Sequence, residues 1–212
     1  MATVLVRGSA RAEVEPDRVR IAVTVSADAA AGPEALALLA ERSAAAEGVL
    51  DAADLLARRP AGVSLQPRWG QQQGEIVGQT AQRTFVAEAA AGSPLGELLA
   101  RLVDVPGTTV AGAEWLVDDA NPAHSRLRAA AVADAHARAA DYAQAAGLRL
   151  GALDRVAEPG LTEPGPHVWV PQSARALGFA GDTAGGGGPV LELRPQPVEL
   201  TAAVDVRWSL LD

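Results

Sequence analysis

The stretch that most constrains this chain runs from Asn121 to Gly151, NPAHSRLRAAAVADAHARAADYAQAAGLRLG. Both of its ends are chemically marked. Asn121 suits the capping position, where its side chain can accept from the first free N–H groups, and Pro122 has the fixed φ of a first helical residue. Gly147 supplies the left-handed residue on which helices commonly end. Between these ends Leu127, Ala131, Ala135, Ala139, Tyr142 and Ala146 recur at three- and four-residue spacing, which predicts a long helix with a buried stripe made mostly of methyl groups. Side chains that small permit close approach, so the helix is expected to lie flat on a β-sheet.

The rest of the chain reads as strands and helices around this element. Thr3–Val14 alternates as a strand, with Gly8 marking a bulge or a close approach. Glu15-Pro16-Asp17 makes a turn, and Arg18–Ala27 follows with Val19, Ile21, Val23 and Val25 on one face. Sequence adjacency predicts that these two strands form an antiparallel hairpin. Gly32-Pro33 opens a second long helix whose stripe, Leu36, Leu39, Ser43, Ala46, Leu50, Ala53 and Leu56, carries it to about Ala57. Arg58-Arg59-Pro60-Ala61-Gly62 is read as its stop.

Val63–Trp69 and Glu75–Ala91 then read as strands around a polar Gly70–Gly74 loop, with Val77, Ala81, Phe85 and Ala87 as inward candidates. Ser93-Pro94 starts a short helix with Leu95, Leu98, Leu99 and Leu102 on its apolar face. Thr108–Val117 is a strand before the Asn121 helix, and Leu153–Glu158 one after it. Val198–Leu210 shows the clearest alternation of all. The order strand, long helix, strand occurs twice, around Val19–Val25 and around Glu114–Val117, and suggests a duplicated unit. Trp69, Trp115 and Trp208 fall in strands and are expected to complete the core.

From Pro159 to Pro197 the composition shifts to eight Gly and seven Pro in 39 residues, which reads as a loop-rich insertion before the last strand. It carries His167, Trp169, Leu177 and Phe179, aromatic and apolar residues that either fold back on the domain or meet another subunit, and they are the candidate interface.

Composition narrows function by exclusion. At 212 residues and 49% hydrophobic, the chain can bury a real core. A net charge of −8 and a pI near 4.9 disfavour nucleic acid and anionic membrane surfaces. All 18 basic residues are arginines, and none of them form a concentrated patch. With no cysteine there are no disulfides, thiolate metal sites or cysteine nucleophiles. The N-terminal residues lack the pattern of an export signal and no segment is apolar enough to span a bilayer, so a cytoplasmic location is expected.

Val6-Arg7-Gly8-Ser9-Ala10 followed by Pro16-Asp17, Ile76-Val77-Gly78, the series Ala131, Asp134, Ala135, Arg138, Ala139, Tyr142, Ala143 with Gly147 and Gly151, and the terminal Val204-Asp205-Val206-Arg207-Trp208 together resemble the SIMPL-domain family. This family of unknown function includes bacterial periplasmic and outer-membrane-associated antigens, and the resemblance covers nearly the whole length. It implies an α+β fold in which two long helices and one short helix pack on mixed, mainly antiparallel sheet. It also implies a tendency to large homo-oligomers in some members and associations with stress responses. It carries no catalytic residues and no cofactor. Relatives usually bear an export signal, and Gln79 stands where a tyrosine often follows the Val-Gly pair.

Chemistry finds little support in the residues. Asp118, Asp119 and His124 surround the start of the long helix and are the strongest metal candidates, although acidic residues before a helix ordinarily serve its positive end. Gly185–Gly188 lacks the Lys-Ser/Thr of a phosphate loop. Ser9 and Ser173 have no nucleophile-elbow context. Glu13 and Glu15 beside a turn read as solvated carboxylates. The expected function is therefore self-association by a non-enzymatic protein that assembles or scaffolds. A small-molecule pocket between helices and sheet and a carboxylate- or metal-dependent hydrolase are the alternatives.

Overall fold

The structure is a computed structural model that describes residues 2–70, 74–159 and 194–212. The candidate interface residues His167, Trp169, Leu177 and Phe179 lie outside the described residues. In chain order the elements are β1 (Thr3–Val14), β2 (Arg18–Ala29), α1 (Gly32–Asp51), β3 (Ala57–Trp69), β4 (Ile76–Ala90), α2 (Leu95–Val103), β5 (Thr108–Leu116), α3 (Pro122–Ala145), β6 (Arg149–Ala157) and β7 (Val198–Leu211). This is an α+β fold, and every strand pairing among the described residues is antiparallel.

The elements divide between two compact units. One holds a three-stranded sheet in the order β1-β7-β6, covered by α3. The other holds a four-stranded sheet in the order β3-β4-β2-β5, with α1 and α2. Each unit repeats one pattern of strand, long helix, strand, strand, in which the last strand lies between the other two: β1, α3, β6, β7 in the first and β2, α1, β3, β4 in the second. This duplication differs from the expected pairing of elements, because β5 adds to the second unit and the strand that begins the α3 unit is β1. The second unit's strands and helices are all inserted in sequence between β1 and α3.

That insertion overturns the expected β1–β2 hairpin. β1 pairs along its whole length with β7, 12 register pairs from Thr3↔Ser209 to Val14↔Val198, while β2 lies between β4 and β5. The Glu15-Pro16-Asp17 turn carries the chain from one sheet to the other.

In the three-stranded unit, α3 behaves largely as its sequence specifies. Asn121 accepts from the Ala123 N–H at 2.9 Å, and Gly147 closes the helix at φ +71°. The buried stripe is Ala123, Leu127, Ala131, Ala135, Ala139 and Ala143. Tyr142 and Ala146 are exposed, since the true stripe continues at four-residue steps through Ala143. Gly8 is a close-approach residue and not a bulge: a Cβ there would lie 2.0 Å from the Ala131 carbonyl oxygen and 2.6 Å from the Ala135 nitrogen. Val6, Val204, Val206 and Trp208 complete this core.

In the four-stranded unit, Val19, Ile21, Val23, Val25 and Ala27 of β2 and Ala81, Phe85, Ala87 and Ala89 of β4 face Ala35, Leu39, Ala46 and Leu50 of α1, with Leu95, Leu98 and Leu102 of α2. Helix α1 ends at Asp51, earlier than its periodicity suggests, and Leu36 and Leu56 are exposed. The segment Arg58–Gly62 is part of strand β3 and not merely a helix stop. Its proline is accommodated because β3 is an edge strand with an irregularity between Pro60 and Gly62.

Candidate interface on the edge of the four-stranded sheet

β3 carries the feature that sequence reasoning missed. Of its 13 residues all but Ser64 are exposed, and the strand holds Val63, Leu65 and Trp69 at 64%, 44% and 60% exposure. Trp69, expected in the core, sits instead at the hairpin end opposite exposed Ile76, where the register shifts after Arg68. Of the other two tryptophans expected in the core, Trp208 is buried and Trp115 packs against the larger core. Val77, an inward candidate, is exposed as well. The hairpin's far end is therefore an apolar surface on a sheet edge, the arrangement most prone to pair with another strand.

The hydrogen-bonding direction along β3 follows from the register. The Ser26 N–H donates to the Gly107 carbonyl at 2.8 Å, so even-numbered residues of β2 face the β5 side and odd-numbered ones face β4. Carrying that alternation through Val25↔Arg83 and Gln82↔Ser64 places the polar backbone groups of Gly62, Ser64 and Gln66 toward β4. Those of Val63, Leu65, Pro60 and Pro67 point outward. Both prolines thus stand where a missing N–H costs the sheet nothing, and among the described residues nothing accepts from the amides of Val63 and Leu65.

Charged side chains gather around two buried carboxylates, Glu88 and Asp205, neither legible from spacing. Glu88, 5% exposed, accepts from Arg20 at 2.9 Å, Arg18 at 3.2 Å and Arg59 at 3.2 Å, and Arg20 also reaches Glu114 at 3.1 Å. Hydrogen bonding from Arg20 holds the Glu88 carboxyl below its ordinary range, with Arg18 adding to it and burial opposing. In the other unit Arg7 grips Asp205 with two bonds of 2.7 and 2.9 Å and lowers its pKa in the same way. Asp134 accepts the Ser9 N–H at 2.9 Å and pairs with Arg138, and the Ser9 bond is the main cause of its lowered pKa. In each case the carboxylate is held by an ion pair with arginine.

The metal candidates are placed by helix-start geometry. Asp118 accepts from the Ala120 N–H at 3.0 Å and shapes the turn before α3. Among the described residues no group of three or more His, Asp or Glu side chains could hold a metal ion. His136 packs edge-on against Trp208 at 5.9 Å. A cleft of about 200 Å³ in the four-stranded unit is lined by Ala53, Leu55, Ala89, Pro94, Leu98 and Arg101. It falls short of the roughly 300–1,000 Å³ of ordinary small-molecule sites.

No helix among the described residues is long and apolar enough to cross a membrane. A comparison with curated proteins finds no match. The family model for SIMPL, a protein of unknown function (DUF541), matches residues 4–208, nearly the full length and both units together. The chain belongs to the SIMPL family.

Proposed function

We propose that this protein acts by self-association, as an assembling or scaffolding homo-oligomer with no chemistry of its own and a role in a stress setting. The observation that supports the reading is β3: a 13-residue edge strand, exposed along nearly its whole length, carrying Val63, Leu65 and Trp69 in the open. An exposed apolar edge is prone to pair with another strand. Pro60, Pro67 and the two register shifts of β3 limit that pairing to the short stretch around Ser64.

The test is native mass by light scattering over a concentration series, on the wild-type chain and on Val63→Lys/Leu65→Lys. Self-association predicts a wild-type mass that is a multiple of 21.6 kDa and a variant that falls toward 21.6 kDa while keeping its circular dichroism. A wild-type mass of 21.6 kDa at every concentration would sink it.

A further inference from the structure

Resting on the self-association reading, we infer that two copies join through β3 alone, antiparallel about a two-fold axis at Ser64, so that two four-stranded sheets become one of eight strands. The backbone carries this pairing. Pro60 and Pro67 have no N–H, so beyond the irregular step at Ala61 the outward donors between them are those of Val63 and Leu65. Residues that face outward can hydrogen-bond only to residues that face outward on the partner, which restricts a two-fold pairing to a few registers.

With the axis at Ser64, Val63 lies opposite Leu65 of the second copy and Leu65 opposite its Val63. Each pair exchanges two N–H···O bonds, so all four of these donors meet acceptors on residues that donate in return. With the axis at Leu65, Val63 would face Pro67 of the second copy and its carbonyl would meet a ring nitrogen with no hydrogen. With the axis at Val63, Leu65 would face the irregular step at Ala61. The Ser64 register is the one that satisfies both strands.

Side chains agree with this register. Val63 and Leu65 share one face of β3, so the pairing lays Val63 against Leu65 twice, and cross-strand apolar pairs of this kind stabilise sheets. Past the irregular step at Ala61, Pro60 of one copy would come opposite Pro67 and Arg59 opposite Arg68 of the other. Arg68 already pairs with Asp28 at 3.5 Å and Arg59 with Glu88 at 3.2 Å, and these carboxylates reduce the cost of that like-charge approach. The other edges among the described residues are less favourable. The Ser9 N–H of β1 is taken by Asp134, β6 shifts register twice against β7 within nine residues, and β5 shifts against β2, whereas the two shifts of β3 leave Gly62–Arg68 in one regular register.

The chain has no native cysteine, so a single introduced thiol reports on itself. Ser64 and its counterpart would form a pair with no hydrogen bond between them, Cα atoms about 4.5 Å apart, within disulfide range. Leu65 residues would sit on a diagonal too long to bridge. Under mild oxidation Ser64→Cys should form covalent dimer about tenfold faster than Leu65→Cys. Leu65→Pro, which deletes an outward donor and leaves the β4 partners of β3 intact, should shift the wild-type oligomer toward smaller species. Faster cross-linking by Leu65→Cys would overturn the register. An oligomer of full mass in which neither cysteine cross-links would overturn the β3 interface while self-association stands. A monomer in every variant and in the wild type would overturn both, and if the thiol of the Ser64→Cys monomer resisted a thiol reagent, the edge would be covered by the chain itself.

Discussion

The two units share one topology and solve its packing in different ways. In the three-stranded unit the sheet meets the helix through Gly8 and a stripe of alanines, so the α3 backbone comes almost into contact with β1. In the four-stranded unit the same layers are held apart by larger groups, Val19, Val23, Val25 and Phe85 below Leu39 and Leu50. Close approach leaves the first unit dependent on single atoms, whereas the second can absorb changes through side-chain rearrangement. The edges differ as well: in the first unit Asp134 takes the Ser9 N–H of β1 and β6 is irregular, while in the second, among the described residues, β3 is left open between two prolines.

The largest effect should come from breaking the close approach. Gly8→Ala places a methyl group against the Ala131 carbonyl, and with backbone on the receiving side it should cost about 3 kcal/mol by overpacking, lowering Tm by roughly 10 °C in thermal unfolding. An unchanged Tm would mean the α3–β1 spacing is looser than described.

The ion clusters sharpen the contrast next. Glu88→Ala removes a carboxylate shared by three arginines, of which Arg20 keeps Glu114, and should cost about 2 kcal/mol, whereas Asp205→Ala removes the partner of the well-exposed Arg7 alone and should cost about half that, both read by chemical denaturation. Both carboxyl groups have folded-state pKa values below their ordinary 4.5 and 3.8. Each therefore adds stability that is present above those ordinary values and is lost as pH falls through the lower folded-state values. Wild-type stability should decline in acid below about pH 4.5, and Glu88→Gln should flatten that decline more than Asp205→Asn does.

A last effect, no larger than that of Asp205→Ala, is a gain. Ser43 in α1 is buried against the four-stranded sheet and its hydroxyl has no hydrogen-bond partner among the described residues. Ser43→Ala should raise stability by about 1 kcal/mol, and a loss would reveal a partner for that oxygen.

What can be read from the sequence is whatever one element states about itself. Asn121, Pro122 and Gly147 mark the ends of α3, and the alternation of β2 and β7 marks their buried faces, because capping and periodicity are local properties. Pairing is not local. Adjacency in sequence puts β1 beside β2, yet β1 belongs with the last strand of the chain, since a whole unit is inserted after it. The start of β3 is hidden because Arg58-Arg59-Pro60 also suits a helix stop, and only an edge position makes a strand proline acceptable. Residue type alone assigns Trp69 to the core, although its end of the strand is left uncovered. The Glu88 cluster joins residues 29 to 70 positions apart, and no motif spacing signals it.

Among the described residues β3 is the open edge, and its closure by a second copy is the central claim. Amide hydrogen exchange, followed on peptides from β3 and β6 at low and high protein concentration, tests that most directly. Protection that rises with concentration across Val63–Leu65 and stays constant in β6 is the predicted result. Exchange in β3 that is the same at both concentrations, in a protein whose mass increases between them, would contradict it.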